Sequence, residues 1–310
     1  MSTPLAEAAA TARRATRQPE QAFTFAVAAE HLVGILHVPD SIPTSPEVAR
    51  TGVVVVVGGP QYRAGSHRQF VGLARQLAMA GHPVLRFDVR GMGDSSGVLH
   101  SFEHISDDIG AAIDQLMQRQ PQLQRVVLWG LCDGAAAALL YLDERVDPRV
   151  QGLCLLNPWV RSDASLARTQ VKHYYRQRLM QREFWLKLLS GQVAGAALRG
   201  LWTSLRAASA GLDDDDNGRP FQTRMARAWK RFGGEILLVL SGKDYTAREF
   251  REVVAAHPAW HGALAQSNVQ VHAASAADHT FSDICETRAL EQVTLNWLRH
   301  HLPATTEAAA

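Results

Sequence analysis

Three residue types that together can carry nucleophilic acyl chemistry occur in a fixed order along the chain: Cys132, then Asp244, then His279. A thiol becomes a strong nucleophile when a histidine removes its proton, and a carboxylate can hold that histidine in the required tautomer. Each residue follows an apolar run of the kind that forms a buried strand, namely RVVLW, EILLVLSG and NVQVHAA. The order therefore predicts a Cys–His–Asp triad in which Cys132 attacks an acyl carbonyl as a thiolate.

The cysteine lies at the centre of the pentapeptide GLCDG, between a predicted strand and a helix rich in alanine. Flanking glycines allow a tight strand-to-helix turn to pass close to its neighbours and to raise the central side chain above the sheet. An isolated cysteine is more often a small buried apolar residue. The turn, together with the later aspartate and histidine, favours the nucleophile over this simpler interpretation.

Alternatives to the acid and the base stay open at this point. Asp244 could be a turn or helix-capping carboxylate before Thr246, in which case Asp278, next to His279, would orient the imidazole. A single histidine also carries little weight, because the chain contains 13 of them. The position of Asp244 directly after a predicted strand favours it as the acid.

An acyl transfer also needs backbone N–H groups that stabilise the tetrahedral oxyanion. One is expected from Asp133, directly after Cys132 at the start of a helix, where the helix dipole also favours negative charge. The second is expected from the loop GGPQYRAG, which follows the run VVVVV. Because Pro60 has no N–H, either Gly59 or Gln61 must supply this second donor.

Apolar strands alternate with amphipathic helices through most of the sequence, which predicts an α/β protein with a mostly parallel, doubly wound sheet covered on both faces. Between about Pro158 and Gly233 no strand pattern occurs, and this helical, arginine-rich stretch is predicted to be an inserted cap. The predicted parts are a disordered tail at 1–21, the first part of the core at 22–157, the cap at 158–233, the second part of the core at 234–302 and a C-terminal tail at 303–310.

Composition narrows the class of protein. The chain is 46% hydrophobic and 20% charged with a formal net charge of +2, which gives no reason to expect a nucleic-acid partner. It has no apolar run of roughly eighteen residues that could span a membrane, and its N-terminal residues lack the apolar core of a secretory signal. Its 3 cysteines are widely spaced, without zinc-type pairs. We therefore expect a cytoplasmic protein that uses neither a metal nor a cofactor.

A second glycine-rich stretch, FDVRGMGDSSG from Phe87 to Gly97, resembles a dinucleotide-binding loop only superficially. It lacks the GxGxxG spacing, and no acidic residue follows about twenty positions later at the end of another strand. We interpret it as a structural loop whose aspartates and serines bond to turn backbone and do not hold a metal.

The succession of GGPQ, FDVRGMGDSSG, GLCDGA, SGKD and ADHTF resembles the α/β-hydrolase superfamily over about Phe23 to Leu302, and the D-x-R-G-x-G-x-S pattern at 88–95 is typical of it. More narrowly, GGPQYRAGSHRQF together with GLCDGA resembles the exosortase A system-associated hydrolases of the first type. That family is found beside exopolysaccharide and protein-sorting gene clusters in Gram-negative bacteria. GLCDGA is also similar to the cysteine elbow of dienelactone hydrolases, whose Cys–His–Asp triad opens a lactone.

These resemblances imply the α/β-hydrolase fold, with Cys132 as nucleophile, Asp244 as acid and His279 as base. They also imply activity on an ester or thioester. Cysteine in place of the superfamily's usual serine implies a thioester intermediate, which can pass the acyl group to amines, alcohols or thiols as well as to water. A lactone hydrolase of the dienelactone type and a non-catalytic scaffold of an export system stay as alternatives.

The predicted cap also suggests a partner. Arg168, Lys172 and Arg176 recur at roughly helical spacing among aromatic residues. The simplest interpretation is an exposed basic face over an apolar face that packs on the sheet. A sharper hypothesis is that the cap admits a small anionic or amphiphilic acyl substrate, or makes a peripheral contact with an anionic membrane surface.

Overall fold

The computed structural model describes residues 20–39, 50–59, 61–161 and 219–302. The chain forms two compact units, one of which is Val160–Gln222 and the other the remainder. The basic residues Arg168, Lys172 and Arg176 of the predicted cap lie outside the described residues. The boundaries proposed above for the cap and the two tails therefore stay predictions.

A sheet of eight strands, counted within the described residues, forms the larger unit. The strands are β1 (Glu20–Val27), β2 (Glu30–His37), β3 (Thr51–Val56), β4 (Val84–Phe87), β5 (Arg125–Leu131), β6 (Val150–Leu156), β7 (Glu235–Ser241) and β8 (Val269–Ala274). Their spatial order is β1-β2-β4-β3-β5-β6-β7-β8. The first two form an antiparallel hairpin, β2 is antiparallel to β4, and all the pairs from β4 to β8 are parallel. The predicted mostly parallel sheet is confirmed.

Helices cover the strands. The central strands need cover on both faces because their sequences are continuously apolar. The helices are α1 (Gln69–Met79), α2 (Ser106–Arg119), α3 (Asp133–Glu144), α4 (Phe221–Arg231), α5 (Tyr245–Ala256) and α6 (Ile284–His301). The run Val53–Val57, for example, is at most 1% exposed. Within the described part of the chain, no helix combines the length and apolar character needed to cross a membrane.

The parallel strands determine where the chemistry can occur. Because β5, β7 and β8 run in one direction, their C-terminal ends lie at the same edge of the sheet. Cys132, Asp244 and His279 each follow one of these ends in the chain. The sheet therefore brings together at one edge three residues that are far apart in sequence.

Candidate functional site

The elbow that holds the predicted nucleophile is a strained turn between β5 and α3. Cys132 has φ 61° and ψ −124°, a backbone conformation that residues with side chains rarely adopt. Its N–H donates to Leu156 O at 2.9 Å, and its carbonyl accepts from Trp159 N at 3.1 Å. The same carbonyl accepts from the N–H groups of Ala135 and Ala136 in the first turn of α3. Bonds from both sides therefore hold the half-buried cysteine in this conformation.

The two flanking glycines are required by close packing of the backbone. A Cβ on Gly130 would lie 2.6 Å from the carbonyl carbon and oxygen of Gly134. A Cβ on Gly134 would overlap Val56 O at the end of β3. Gly130 thus lets α3 start close to the end of β5, and Gly134 lets α3 approach β3, which is the physical basis of the GLCDG pattern.

His279 and Asp244 form a hydrogen-bonded pair, in which His279 Nδ1 lies 2.8 Å from Asp244 Oδ2. This hydrogen bond, followed by the carboxylate charge, raises the pKa of His279 above its ordinary value despite partial burial. Burial acts to raise the pKa of Asp244, but the imidazole and the neighbouring N–H groups outweigh it, so the pKa is lowered. With Nδ1 directed to the carboxylate, proton transfer falls to Nε2 of the imidazole.

Asp244 also caps α5, so it is both the helix cap and the hydrogen-bonded partner of His279. Its Oδ1 accepts from Thr246 N at 3.0 Å, and its Oδ2 accepts from Ala247 N at 3.2 Å. These bonds fix the carboxylate at the helix start, from which it reaches the imidazole. A cap that is already in place orients the histidine without further ordering of the side chain.

Asp278, the alternative acid, is directed into its own loop. Its Oδ1 accepts from Thr280 N at 3.1 Å and from Ser282 N at 3.0 Å, and its Oδ2 accepts from the Ser282 hydroxyl. It still contributes to the field around the imidazole, because its charge helps to raise the pKa of His279. The hydrogen-bonded partner of His279 is Asp244.

Asp133 connects the elbow to both of the other site elements. Its charge helps to raise the pKa of His279. Its Oδ2 accepts from Gly59 N at 2.7 Å. Burial raises the pKa of Asp133, and the backbone N–H groups of Gly59, of Asp133 itself and of Gly134 partly offset this rise.

The loop after β3 therefore differs from expectation in one respect. The N–H of Gly59, expected as a candidate oxyanion donor, is bonded to the Asp133 carboxylate. Gln61, the other candidate, is half-buried and its Oε1 accepts weakly from Gln69 Nε2 at 3.5 Å. Of the two candidates, Gln61 is the one whose N–H is not bonded to that carboxylate.

The glycine-rich stretch after β4 forms a loop whose side chains bond to turn backbone, to β2 and to Arg63. Ser95 Oγ donates to Asp88 O at 2.8 Å and accepts from Val33 N at 2.9 Å, which ties the loop to β2. The expectation that its aspartates bond to turn backbone is incomplete, because the buried Asp88 also forms an ion pair with the half-buried Arg63. Within the described residues, no cluster of three or more candidate ligands could hold a metal.

Sequence reasoning missed Asn157, which fixes the spacing between two strand ends of the site. Asn157 Oδ1 accepts from Ser241 N at 2.8 Å, and its Nδ2 donates to Ser241 Oγ at 2.9 Å. The residue is fully buried and has φ 44°. An asparagine before proline at the end of a strand signals such a turn, because asparagine tolerates this backbone conformation.

Comparison with known proteins gives a consistent result for the fold. Residues 49–201 match the family model described as serine aminopeptidase, S33. No curated protein sequence matches the chain significantly. An esterase from Pyrococcus furiosus has a similar structure, with a TM-score of 0.60 and 14% identity over 97% of this chain and 95% of that one.

Two further solved structures are similar to this chain. A dienelactone hydrolase from Anabaena variabilis has a TM-score of 0.56 and 17% identity over 92% of this chain and 98% of that one. An alpha-beta serine hydrolase homologue from Coxiella burnetii has a TM-score of 0.52 and 14% identity over 90% of this chain and 97% of that one. With the strand order and the elbow between β5 and α3, these likenesses identify the chain as a protein of the α/β-hydrolase fold.

Proposed function

We propose that the protein is a cysteine-dependent hydrolase that cleaves an ester or thioester, or transfers its acyl group, through Cys132, His279 and Asp244. The observation that carries the proposal is the 2.8 Å bond between His279 Nδ1 and Asp244 Oδ2, at the sheet edge where Cys132 occupies a strained elbow. A strained nucleophile, a base and an oriented acid are the three parts that covalent acyl chemistry requires.

The reaction proceeds in two halves. His279 Nε2 takes the proton of the Cys132 thiol, and the thiolate adds to the acyl carbonyl carbon to form a C–S bond. The N–H group of Asp133 and one N–H group from the loop after β3 stabilise the oxyanion of the tetrahedral intermediate. The carbon–oxygen or carbon–sulfur bond to the leaving group then breaks, and the leaving alcohol or thiol takes the proton from His279.

The second half returns the free enzyme. Water, or another acceptor with a proton to lose, adds to the carbonyl of the Cys132 thioester while His279 accepts that proton. Collapse of the second tetrahedral intermediate releases the acid or the acylated acceptor, and the thiolate regains its proton from the imidazolium. Atoms and protons balance over the cycle without a metal or an external cofactor.

The charges around the imidazole suit a thiol nucleophile. Hydrogen bonding to Asp244 and the charges of Asp244, Asp133 and Asp278 raise the pKa of His279. A free thiol has a pKa of about 8.5, far closer to that of imidazole than a serine hydroxyl has. Transfer of the proton from Cys132 to His279 is therefore less unfavourable than transfer from a serine hydroxyl would be.

The substrate is proposed from the residues that resemble a known family. GGPQYRAGSHRQF and GLCDGA support a role beside exosortase and exopolysaccharide systems. The basic residues of the predicted cap suggest that the acyl donor is small and anionic or amphiphilic. A cytoplasmic location, in line with the sparse cysteines, would keep Cys132 reduced. If the basic residues of the predicted cap contact membranes, neutralising Arg168, Lys172 and Arg176 lowers binding to acidic liposomes; unchanged partitioning rejects that contact.

Alkylation of Cys132 as a function of pH tests the proposed function. The Cys285→Ala background removes an exposed thiol, and Cys154 is fully buried with a pKa raised by that burial, so iodoacetamide then reports on Cys132. We expect labelling well below the free-thiol pKa of about 8.5 that slows in His279→Ala. Labelling that is slow, and has the same rate in the wild type and His279→Ala, contradicts an activated thiolate and supports a non-catalytic scaffold.

The substrate class is tested with p-nitrophenyl esters and acyl-CoA thioesters, using the wild type, Cys132→Ser and Cys132→Ala. We expect the wild type to turn over at least one of these substrates and Cys132→Ala to turn over none. The rates of acylation then rank esters against thioesters. Adding amine, alcohol or thiol acceptors separates transfer from hydrolysis. If breakdown of the Cys132 thioester limits the rate, an acceptor that takes the acyl group increases the rate at which the leaving group is released. Turnover that survives in Cys132→Ala would contradict the proposed nucleophile.

Lactone opening is a second candidate, favoured by the cysteine at the elbow and by the similarity of GLCDGA to the dienelactone hydrolases. In a lactone the leaving alcohol stays attached to the acyl group, so the same acylation and water attack open the ring. A panel of unsaturated lactones distinguishes this activity. Faster opening of these lactones than of linear esters of equal reactivity would favour it over the leading proposal.

A further inference from the structure

The loop that must supply the second oxyanion donor is tied to the elbow by a side chain that the proposed chemistry does not use. Asp133 Oδ2 accepts from Gly59 N at 2.7 Å, although the two residues lie 74 positions apart in sequence. The acceptor carries a charge and is partly buried, which makes the bond stronger than a neutral one. This bond joins the end of β3 to the first residue of α3.

Glycine packing leaves the loop little freedom at this junction. A Cβ on Gly58 would overlap both Asp133 Oδ1 and Gly134 N, so the loop backbone lies directly on the start of α3. Gly59 has φ 59°, the left-handed conformation that glycine adopts without strain. The loop can therefore approach the Asp133 carboxylate this closely only because glycines occupy these positions.

The other end of the loop is held by a separate buried cluster. Arg63 N donates to Asp88 Oδ1 at 2.6 Å, and the Arg63 guanidinium pairs with the same carboxylate, whose side chain is 0% exposed. Arg86 donates to Arg63 O at 2.5 Å. The Arg86 guanidinium also contacts His37, whose pKa is lowered to about 4, first by burial and then by the charge of Arg86. Gln61 thus lies between two anchored residues, Gly59 and Arg63.

We propose that Asp133 is a positioning residue that anchors the loop through Gly59, so that the Gln61 N–H is the loop's oxyanion donor. The proposal rests on the proposed function and assigns the donor that the sequence left open between Gly59 and Gln61. The Asp133 side chain acts through the loop and does not touch the substrate. Its backbone N–H remains the other oxyanion donor.

Two substitutions separate the hydrogen bond from the charge. Asp133→Asn keeps an oxygen that accepts from Gly59 N–H and removes the charge, whereas Asp133→Ala removes both. We expect Asp133→Ala to lower kcat about 100-fold with little change in KM, the effect of losing one oxyanion donor. Asp133→Asn should retain at least about tenfold more of kcat than Asp133→Ala. Asp114→Ala, which removes an exposed carboxylate of α2, serves as the control.

A second measurement does not depend on turnover. Amide hydrogen exchange at Gly59 should be slow in the wild type and in Asp133→Asn, and at least about tenfold faster in Asp133→Ala, because the bond that protects this amide is lost. Cys132 alkylation should continue in all three proteins, which shows that the elbow is intact. Circular dichroism verifies that each variant is folded.

The outcomes separate this inference from the function on which it rests. Equal exchange at Gly59 in the wild type and Asp133→Ala overturns the anchor, whether or not a substrate is known. Equal losses of kcat in Asp133→Asn and Asp133→Ala also overturn it, because they assign the effect to charge. Alkylation that is indifferent to His279 leaves the exchange result standing and rejects only the proposed chemistry.

Discussion

The imidazole of His279 and the carboxylate of Asp244 are joined by a 2.8 Å hydrogen bond between residues 35 positions apart, on loops that follow two adjacent parallel strands. The same carboxylate caps the helix that begins at Tyr245. One side chain thus fixes both the start of a helix and the orientation of the His279 imidazole. This double role makes Asp244 the most informative residue to change.

Asp244→Asn should lower activity strongly and leave the fold in place. Asparagine can still accept one helix-capping bond, but it loses the charge that stabilises the imidazolium. We expect kcat to fall about 10²- to 10⁴-fold and the pKa of His279 to fall towards its ordinary value. Steady-state kinetics and NMR titration of the His279 ring measure these effects. Asp278→Asn is the comparison, and an equal loss of kcat in it would contradict the assignment of Asp244 as the acid.

The ion pair predicts a stability window in pH. The pKa of Asp244 is lowered from its ordinary 3.8, so its stabilising effect is present above that value and is lost as the pH falls through the folded pKa. The pKa of His279 is raised from its ordinary 6.5, so its effect is present below that value and is lost as the pH rises through the folded pKa. Urea unfolding should show the largest difference between wild type and Asp244→Asn near about pH 5.

That difference should shrink towards both acidic and alkaline pH. The exposed Asp114→Asn serves as the control and should follow the wild type across the range. A difference between wild type and Asp244→Asn that stays constant from acidic to alkaline pH would contradict the ion pair as its source.

Gly58→Ala should damage the loop and the activity together. A Cβ at this position would overlap Asp133 Oδ1 and Gly134 N, so the loop must move away from the elbow. Overpacking of this kind costs about 1–3 kcal/mol of unfolding free energy. Gly233→Ala is the matched control, because its Cβ would meet nothing within 4 Å, and we expect it to change stability by less than about 0.5 kcal/mol. Equal unfolding free energies for the two variants would contradict the close approach.

Asp143→Ala tests the buried ion pair between α3 and α4. Asp143 accepts from Arg224 Nε at 3.3 Å, and their side chains are 0% and 2% exposed. Arg224 keeps its pair with Glu144, so removing the acid should cost about 3 kcal/mol, the low end for breaking a buried pair. Asp107→Ala is the control, because its pair with Arg145 is exposed and should contribute less than about 1 kcal/mol. Urea denaturation of both variants measures the contrast.

The sheet could be predicted from sequence because its signal is local. The run Val53–Val57 is continuous and apolar, and such runs alternate with amphipathic helices, so strand positions and their mostly parallel pairing follow. The elbow, with its glycines, was also visible in a short pattern.

The contacts that tune the site were not visible, because they join residues distant in sequence. Nothing local indicates that Asp133 accepts from Gly59, or that Asp88 pairs with Arg63. Both carboxylates satisfied simpler local interpretations, as a residue after the nucleophile and as a turn acid. Only the packing of β3 against β4 and β5 brings their partners within hydrogen-bonding distance.

The segment Val160–Gln222 is flanked by residues that make their own contacts within the larger unit. Trp159 N–H bonds to the carbonyl of Cys132 before the segment begins, and Arg224 pairs with Asp143 after it ends. Cys132 directly precedes the helix Asp133–Glu144, and Asp143 lies in its last turn. This one helix therefore anchors both chain ends between which the segment runs.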